Sequence, residues 1–356
     1  MIHGGLIFQT ARELGILPEE LLDFSANLNP LGMPKEIRDA VIRALSTASH
    51  YPDVDCGPLR EAIADAEDVP PSWVLCGNGA ADLVFRLGYA LRPERALVMA
   101  PTFLEYERAM EQAGAKVDHC YLDDRLRLDE AILDAVKPGL SLLFLCNPNN
   151  PTGILTERGL VERLVERAAA SNTLVVLDEC FMDFVDRQEE YTMTGRLGDF
   201  KNLLILKSFT KMYAMAGLRL GYCLSSDEGI LKRMEDAGQD WSVNTLAQAA
   251  GLAALKLQEF PEATRQLVSR EREYLKKKLK ELSLSVYDSQ VNYLLFRAPG
   301  RKDLASRLLP LRILIRNCGN YPGLSGDYYR VAVRNHEENE RLVEALAKVL
   351  SEEGRI

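Results

Sequence analysis

The stretch Lys207-Ser208-Phe209-Thr210-Lys211, with Arg219 eight residues beyond Lys211, sets a lysine inside a largely apolar, glycine-punctuated segment. Keeping an ammonium charged there is costly, so Lys211 is a candidate for a covalent Schiff base and Arg219 for an anion ligand. Asp178-Glu179 closes the aliphatic run Thr173–Leu177; a carboxylate at that point either caps the next segment or is held for a cationic partner. Asn147-Pro148-Asn149-Asn150-Pro151-Thr152-Gly153 ends another such run, either as a plain turn or as a rigid loop at the sheet edge where ligands sit. Cys76-Gly77-Asn78-Gly79 follows the strand-like Trp73-Val74-Leu75 and opens a helical stretch to Leu91. Such a turn lets the backbone approach a ligand, and the free N–H groups of a helix start bind an anion. Taken singly each feature has an ordinary explanation, and an isolated lysine reads as a snorkelling surface side chain. The four together describe one kind of site.

The elements that must carry these residues alternate. Short aliphatic runs (Ala96–Met99, Leu140–Cys146, Leu174–Leu177, Leu203–Leu206) are separated by helical patterns such as Glu105–Ala113 and Glu157–Ala170. Continuous rather than alternating hydrophobicity marks strands buried on both faces, hence a mostly parallel sheet in an α/β core. An amphipathic helix opened by Pro34 carries Ile37, Ala40, Val41, Ala44 and Leu45. After about Asn244 the rhythm changes to helices over Thr245–Gln258 and Pro261–Leu282, strands at Tyr293–Phe296, Ile313–Ile315 and Tyr329–Val333, and a closing helix with Leu342, Ala345, Leu346, Val349 and Leu350 on one face. That predicts a second, smaller α+β unit.

Composition bounds the function. The chain has 356 residues and a formal net charge of −9, which suits two domains and disfavours phosphodiester backbones and anionic lipid surfaces. Lys276, Lys277, Lys278 and Lys280 have no interleaved aromatics and read as a solvated face, so no nucleic-acid partner is expected. Leu140–Cys146 falls far short of a membrane span, and the amino terminus has neither a basic nor an apolar leader region, so a soluble, cytoplasmic protein is expected. The seven cysteines are odd in number and never in a C-x-x-C pair. They indicate neither a disulfide framework nor a metal site, and read as packing residues.

Asn150-Pro151-Thr152-Gly153, Asp178 and Ser208-x-x-Lys211 followed by Arg219 resemble the fold-type I pyridoxal-phosphate enzymes of the aspartate aminotransferase superfamily. A finer resemblance runs through His3-Gly4-Gly5, Asp23–Gly32, Tyr51-Pro52-Asp53, Trp241–Asn244, Asn320–Leu324 and Tyr328–Val331, and points to the threonine-phosphate decarboxylases of cobalamin biosynthesis, relatives of the histidinol-phosphate aminotransferases. The resemblance implies a large domain with a mostly parallel central sheet over residues 41–245, a small domain over 246–356, and an amino-terminal arm with part of the small domain over 1–40.

It also implies roles. Lys211 would hold pyridoxal phosphate covalently and later return a proton to the product carbon. Asp178 would face the pyridine nitrogen and Asn150 the phenolic oxygen. Asn78 and Gly79 through their backbone, with Ser208 and Arg219, would hold the cofactor phosphate, and Phe103 would stack on the ring. Tyr51 would reach the phosphate in a neighbouring subunit, implying a homodimer with shared sites. Arg330 would grip the substrate carboxylate beside Asn27, and Arg316 with His3 would hold the substrate phosphate. Arg334 is an alternative to Arg330, since residues four apart in a strand share a face.

The activity so implied is decarboxylation of L-threonine O-3-phosphate. The alternatives are histidinol-phosphate aminotransferase and a catalytically silent pyridoxal-phosphate-binding protein. Phe181 stands where the aminotransferases usually carry a tyrosine that donates to the phenolic oxygen, a departure that fits an altered reaction. Cys180 reads as packing.

Overall fold

The computed structural model describes residues 4–352; His3 lies outside them. Seven strands form the central sheet, in the order Val74–Gly77, Gly221–Leu224, Leu203–Ser208, Leu174–Asp178, Leu142–Cys146, Arg95–Ala100 and Lys116–Tyr121. Gly221–Leu224 runs antiparallel to both its neighbours, and the remaining pairings are parallel. Every residue of Leu142–Cys146, Leu174–Asp178 and Leu203–Ser208 is buried. Helices cover both faces, which is why these strands are continuously apolar.

The polar ends of these strands, Asp178 and Ser208, fall on one edge of the sheet, together with Gly77 and Cys146. In an open α/β sheet that carboxyl edge is where ligands bind. Lys116–Tyr121 escapes the aliphatic pattern because it is the edge strand. Lys116 and Tyr121 are exposed there, and charged side chains blunt an open edge against further pairing.

The second sheet is antiparallel and has the order Arg316–Asn317, Tyr328–Ala332, Tyr293–Arg297 and Ser285–Val286. The helices Glu259–Glu281 and His336–Ser351 pack beside it. His336–Ser351 buries Leu342, Ala345, Leu346 and Val349, and its start is capped by Asn335, whose side chain accepts from the Glu338 amide. Pro261 lies in the first turn of its helix, where its missing amide hydrogen costs no hydrogen bond.

One expected strand is divided. Ile313–Leu314 pairs in parallel with Leu22–Asp23, whereas Arg316–Asn317 joins the antiparallel sheet. The amino-terminal segment is thereby stitched to the carboxyl-terminal part of the chain, and Gly4 to Phe8 come to lie over the carboxyl edge of the central sheet. All seven cysteines are unpaired and six are buried. No helix among the described residues is long and apolar enough to cross a membrane.

Candidate active site

A cavity of about 680 Å³ opens at the carboxyl edge of the central sheet. Cys146, Asp178 and Ser208 enter it from strand ends, Lys211 from the helical turn Phe209–Met212, and Arg330 and Tyr321 from the smaller unit. The sequence features that lie far apart along the chain therefore meet in one place.

Lys211 Nζ donates to Thr210 Oγ1 at 2.8 Å and lies 5.6 Å from the centre of the Phe181 ring. Burial holds its pKa below that of an ordinary lysine, against the opposing pull of Cys180 and Asp178. A buried lysine whose charge is disfavoured is a candidate nucleophile. Thr210 Oγ1 lies 2.7 Å from Ser208 Oγ, so the two hydroxyls and the lysine form one hydrogen-bonded chain.

Asp178 is 7% exposed. Its Oδ1 accepts from the Cys180 amide at 2.9 Å, and its Oδ2 accepts from the Tyr106 hydroxyl. Burial, followed by the Asp178 charge, raises the Tyr106 phenol well above its ordinary value. Cys180 lines the cavity beside Asp178, and burial likewise raises its thiol.

The glycine-rich turn forms a cradle. Gly79 has φ +85°, and a Cβ there would stand 2.5 Å from Arg219 Nη2, so only glycine brings the backbone this close to the guanidinium. The Asn78 amide donates to Asp82 Oδ2 at 2.9 Å, and the Gly79 amide to the Gly77 carbonyl at 2.7 Å. Ala80 and Ala81, in the first helical turn where amides lack intrahelical partners, line the cavity beside it.

Arg330 Nη1 donates to Asn150 Oδ1 and Nη2 to the Ser25 carbonyl at 2.9 Å, with the guanidinium 5.4 Å from the centre of the Tyr293 ring. Arg334 is tied elsewhere. It pairs with Glu338 at 2.8 Å and donates to the Asp23 carbonyl at 3.1 Å, because the strand ends at Ala332 and the same-face argument no longer applies. Asn27, 6% exposed, lines the cavity with its Oδ1 buried and unpartnered. Phe103 lines the cavity and meets Tyr106 edge to face at 5.5 Å.

Three expected residues are not brought into the lining. The Asn78 side chain is exposed outside it. Arg316, 1% exposed, donates to Asn320 Oδ1 at 2.7 Å and sits 5.5 Å from the centre of the Tyr321 ring, which itself lines the cavity. Tyr51, 78% exposed, stacks on Trp241 at 4.6 Å. Conversely, Thr210 and Tyr106 are site residues that the sequence reading passed over. Thr210 adjoins Lys211 in its motif, whereas the Tyr106 contact with Asp178 spans 72 residues and leaves no local signal.

The donor set suits a phosphate-bearing aldehyde: a buried lysine, a carboxylate, an amide, and a cradle of hydroxyls, a helix start and an arginine. The residues present therefore fit pyridoxal phosphate. A family model described as aminotransferase class I and II matches residues 19–346. A threonine-phosphate decarboxylase of Salmonella typhimurium is 44% identical over 98% of this chain and 96% of its own length. A histidinol-phosphate aminotransferase of Symbiobacterium thermophilum is 36% identical over 99% of this chain and 96% of its own. The crystal structure of the histidinol-phosphate aminotransferase from Clostridium acetobutylicum superposes with a TM-score of 0.88 at 27% identity, covering 93% of this chain and all of that one. Matched over this length and carrying its fold, the chain belongs to the class I and II aminotransferase family.

Proposed function

We infer that this chain is a pyridoxal-phosphate-dependent enzyme that decarboxylates L-threonine O-3-phosphate to (R)-1-amino-2-propanol O-2-phosphate and carbon dioxide, in cobalamin biosynthesis. The observation that carries the reading is the 44% identity to a threonine-phosphate decarboxylase across nearly the whole chain, against 36% to a histidinol-phosphate aminotransferase. Phe181 accords with it: the ring beside Lys211 brings no hydroxyl into the cavity.

Bound pyridoxal phosphate supplies an aldehyde that condenses with amines and a conjugated ring that accepts the electron pair of a bond broken at the α-carbon. Lys211, whose charge burial disfavours, is the amine that would anchor it and later return a proton to the product carbon. Asp178 holds the proton on the ring nitrogen, and Asn150, its Oδ1 occupied by Arg330, offers Nδ2 to the phenolic oxygen. Ser208, Thr210, Arg219 and the helix start at Ala80 hold the phosphate, and Phe103 stacks on the ring. Arg330 takes the substrate carboxylate, with Asn27 beside it. By holding the substrate carboxylate, Arg330 would set the direction in which it is presented, and with it whether carbon dioxide or the α-proton is lost.

Arg316 is the residue for the substrate phosphate in this reading, reached past Tyr321, and His3 joins it. Tyr51, exposed and away from its own cavity, serves the cofactor phosphate of a second copy in a homodimer. The pairing of Leu22–Asp23 with Ile313–Leu314 supports grouping residues 1–40 with the small domain at 246–356, apart from 41–245. The enzyme is cytoplasmic in this account. Incubation of purified protein with L-threonine O-3-phosphate and no keto acid tests the reaction: aminopropanol phosphate in the product mass spectrum supports it, and unchanged substrate refutes it.

A further inference from the structure

Both carboxylate oxygens of Asp178 are engaged by the protein. The Cys180 amide donates to Oδ1 at 2.9 Å, and the Tyr106 hydroxyl to Oδ2. The amide belongs to the loop that Asp178 itself begins. Tyr106 comes from a different element, the helix Glu105–Gln112, and no role has been given to it above.

Tyr106 is wedged. It is fully buried, lies parallel to Phe144 with ring centres 4.7 Å apart and planes 6° from parallel, and meets Phe103 edge-on at 5.5 Å. A phenol packed between two rings has no other rotamer to visit, so its hydroxyl stays on Asp178. A donor aimed at a carboxylate in a dry site makes a strong, charge-assisted hydrogen bond.

We propose that Tyr106 is a positioning residue that fixes the orientation of Asp178 and ties it to the Phe103 ring. The inference rests on the role given to Asp178 under the proposed function. Held in one orientation, Asp178 presents its carboxylate to a ring nitrogen without having to reorganise first. The titratable groups facing Asp178 are Tyr106, Cys146 from the strand Leu142–Cys146, Cys180 from its own loop, Lys211 from the turn Phe209–Met212 and Tyr293 from the strand Tyr293–Arg297. Of these, Tyr106 is the one whose hydroxyl donates to the carboxylate, and that hydroxyl can be removed while the ring, and so the packing, is kept.

The test compares Tyr106→Phe and Asp178→Asn with the parent, all as full chains. The readout is the ratio of affinities for pyridoxal phosphate and for its carbocyclic analogue, in which C–H replaces the ring nitrogen. The parent should prefer pyridoxal phosphate, and Asp178→Asn should abolish the preference. Tyr106→Phe should reduce it by about tenfold while leaving affinity for the analogue within about twofold. In turnover, kcat should fall with KM for L-threonine O-3-phosphate unchanged. Replacement of Tyr106 by 3-fluorotyrosine, which keeps the ring and is the stronger donor, should retain the parental preference, and it remains available if Tyr106→Phe does not fold. Equal loss of both ligands in Tyr106→Phe would mean a packing role only and would overturn the proposal, as would an unchanged ratio. If Asp178→Asn keeps the preference, the role of Asp178 itself fails, and the inference with it.

Discussion

Arg330 and Asn150 share a hydrogen bond across 180 residues of sequence, Nη1 donating to Oδ1. The residue assigned to the substrate carboxylate thus orients the amide assigned to the cofactor's phenolic oxygen. On those assignments, engagement of a substrate by Arg330 would be felt at the cofactor through this bond, because an amide with its oxygen held can only present its NH₂ the other way.

Arg330→Lys removes the planar fork that serves Asn150, the Ser25 carbonyl and a carboxylate at once. A single ammonium cannot reproduce that geometry. We expect kcat/KM for L-threonine O-3-phosphate to fall by about 100-fold, as misplacement of a positioned group does. The visible absorbance of the bound cofactor should also shift before substrate is added. An unperturbed spectrum would separate Asn150 from Arg330.

Gly79→Ala places a Cβ 2.5 Å from Arg219 Nη2 at a φ of +85°. Arg219 must withdraw, and the backbone carries strain of about 1–3 kcal/mol. Titration with pyridoxal phosphate should show affinity weakened by at least about tenfold, with the far-ultraviolet circular dichroism unchanged.

The legibility of this site in the sequence follows the range of its contacts. Lys211, Ser208 and Arg219 lie within one turn-rich segment, and their types and spacing state the chemistry. Asp178 and Asn150 sit at the ends of strands that are aliphatic throughout, so the fold's edge could be placed from patterning. The edge strand Lys116–Tyr121, half polar because it is exposed, had no such pattern to offer. The roles of the Asn78 and Gly79 amides depended on hydrogen bonds to Asp82 and Gly77 that spacing does not reveal. Arg316 was readable as a cation but not as one lying over Tyr321, because the chain changes sheets at Ile315 and rotates the two short strands apart. Tyr106 depends wholly on tertiary packing.

Lys211 gives the cofactor-free chain a pH signature. Its pKa is lowered from 10.5 chiefly by burial, so between the lowered value and 10.5 the unfolded chain binds more protons than the folded one. Stability therefore rises with pH through that window, and the cost of the buried charge is present in full below it. Lys211→Met should be more stable than the parent toward urea below the window, and the difference should close as pH approaches 10.5. The same variant should lose the visible cofactor absorbance that borohydride bleaches in the parent.

Tyr51 is 78% exposed and stacks on Trp241 rather than entering its own cavity. Mixing Lys211→Ala chains with Tyr51→Phe chains tests its assignment to a partner's site. If Tyr51 acts across an interface, each hybrid dimer contains one site with both native residues, and activity rises above that of either homodimer. If it acts within its own chain, no hybrid site is intact and no rise occurs.

The fate of the α-carbon decides the central claim, since both candidate reactions bind a phosphate ester and the same cofactor. Purified enzyme is incubated with carboxyl-labelled L-threonine O-3-phosphate in one tube, and with histidinol phosphate plus 2-oxoglutarate in another. We predict labelled carbon dioxide over many turnovers in the first without any keto acid, and no glutamate in the second. Glutamate in the second with the label retained in the first would contradict the account and make the enzyme an aminotransferase.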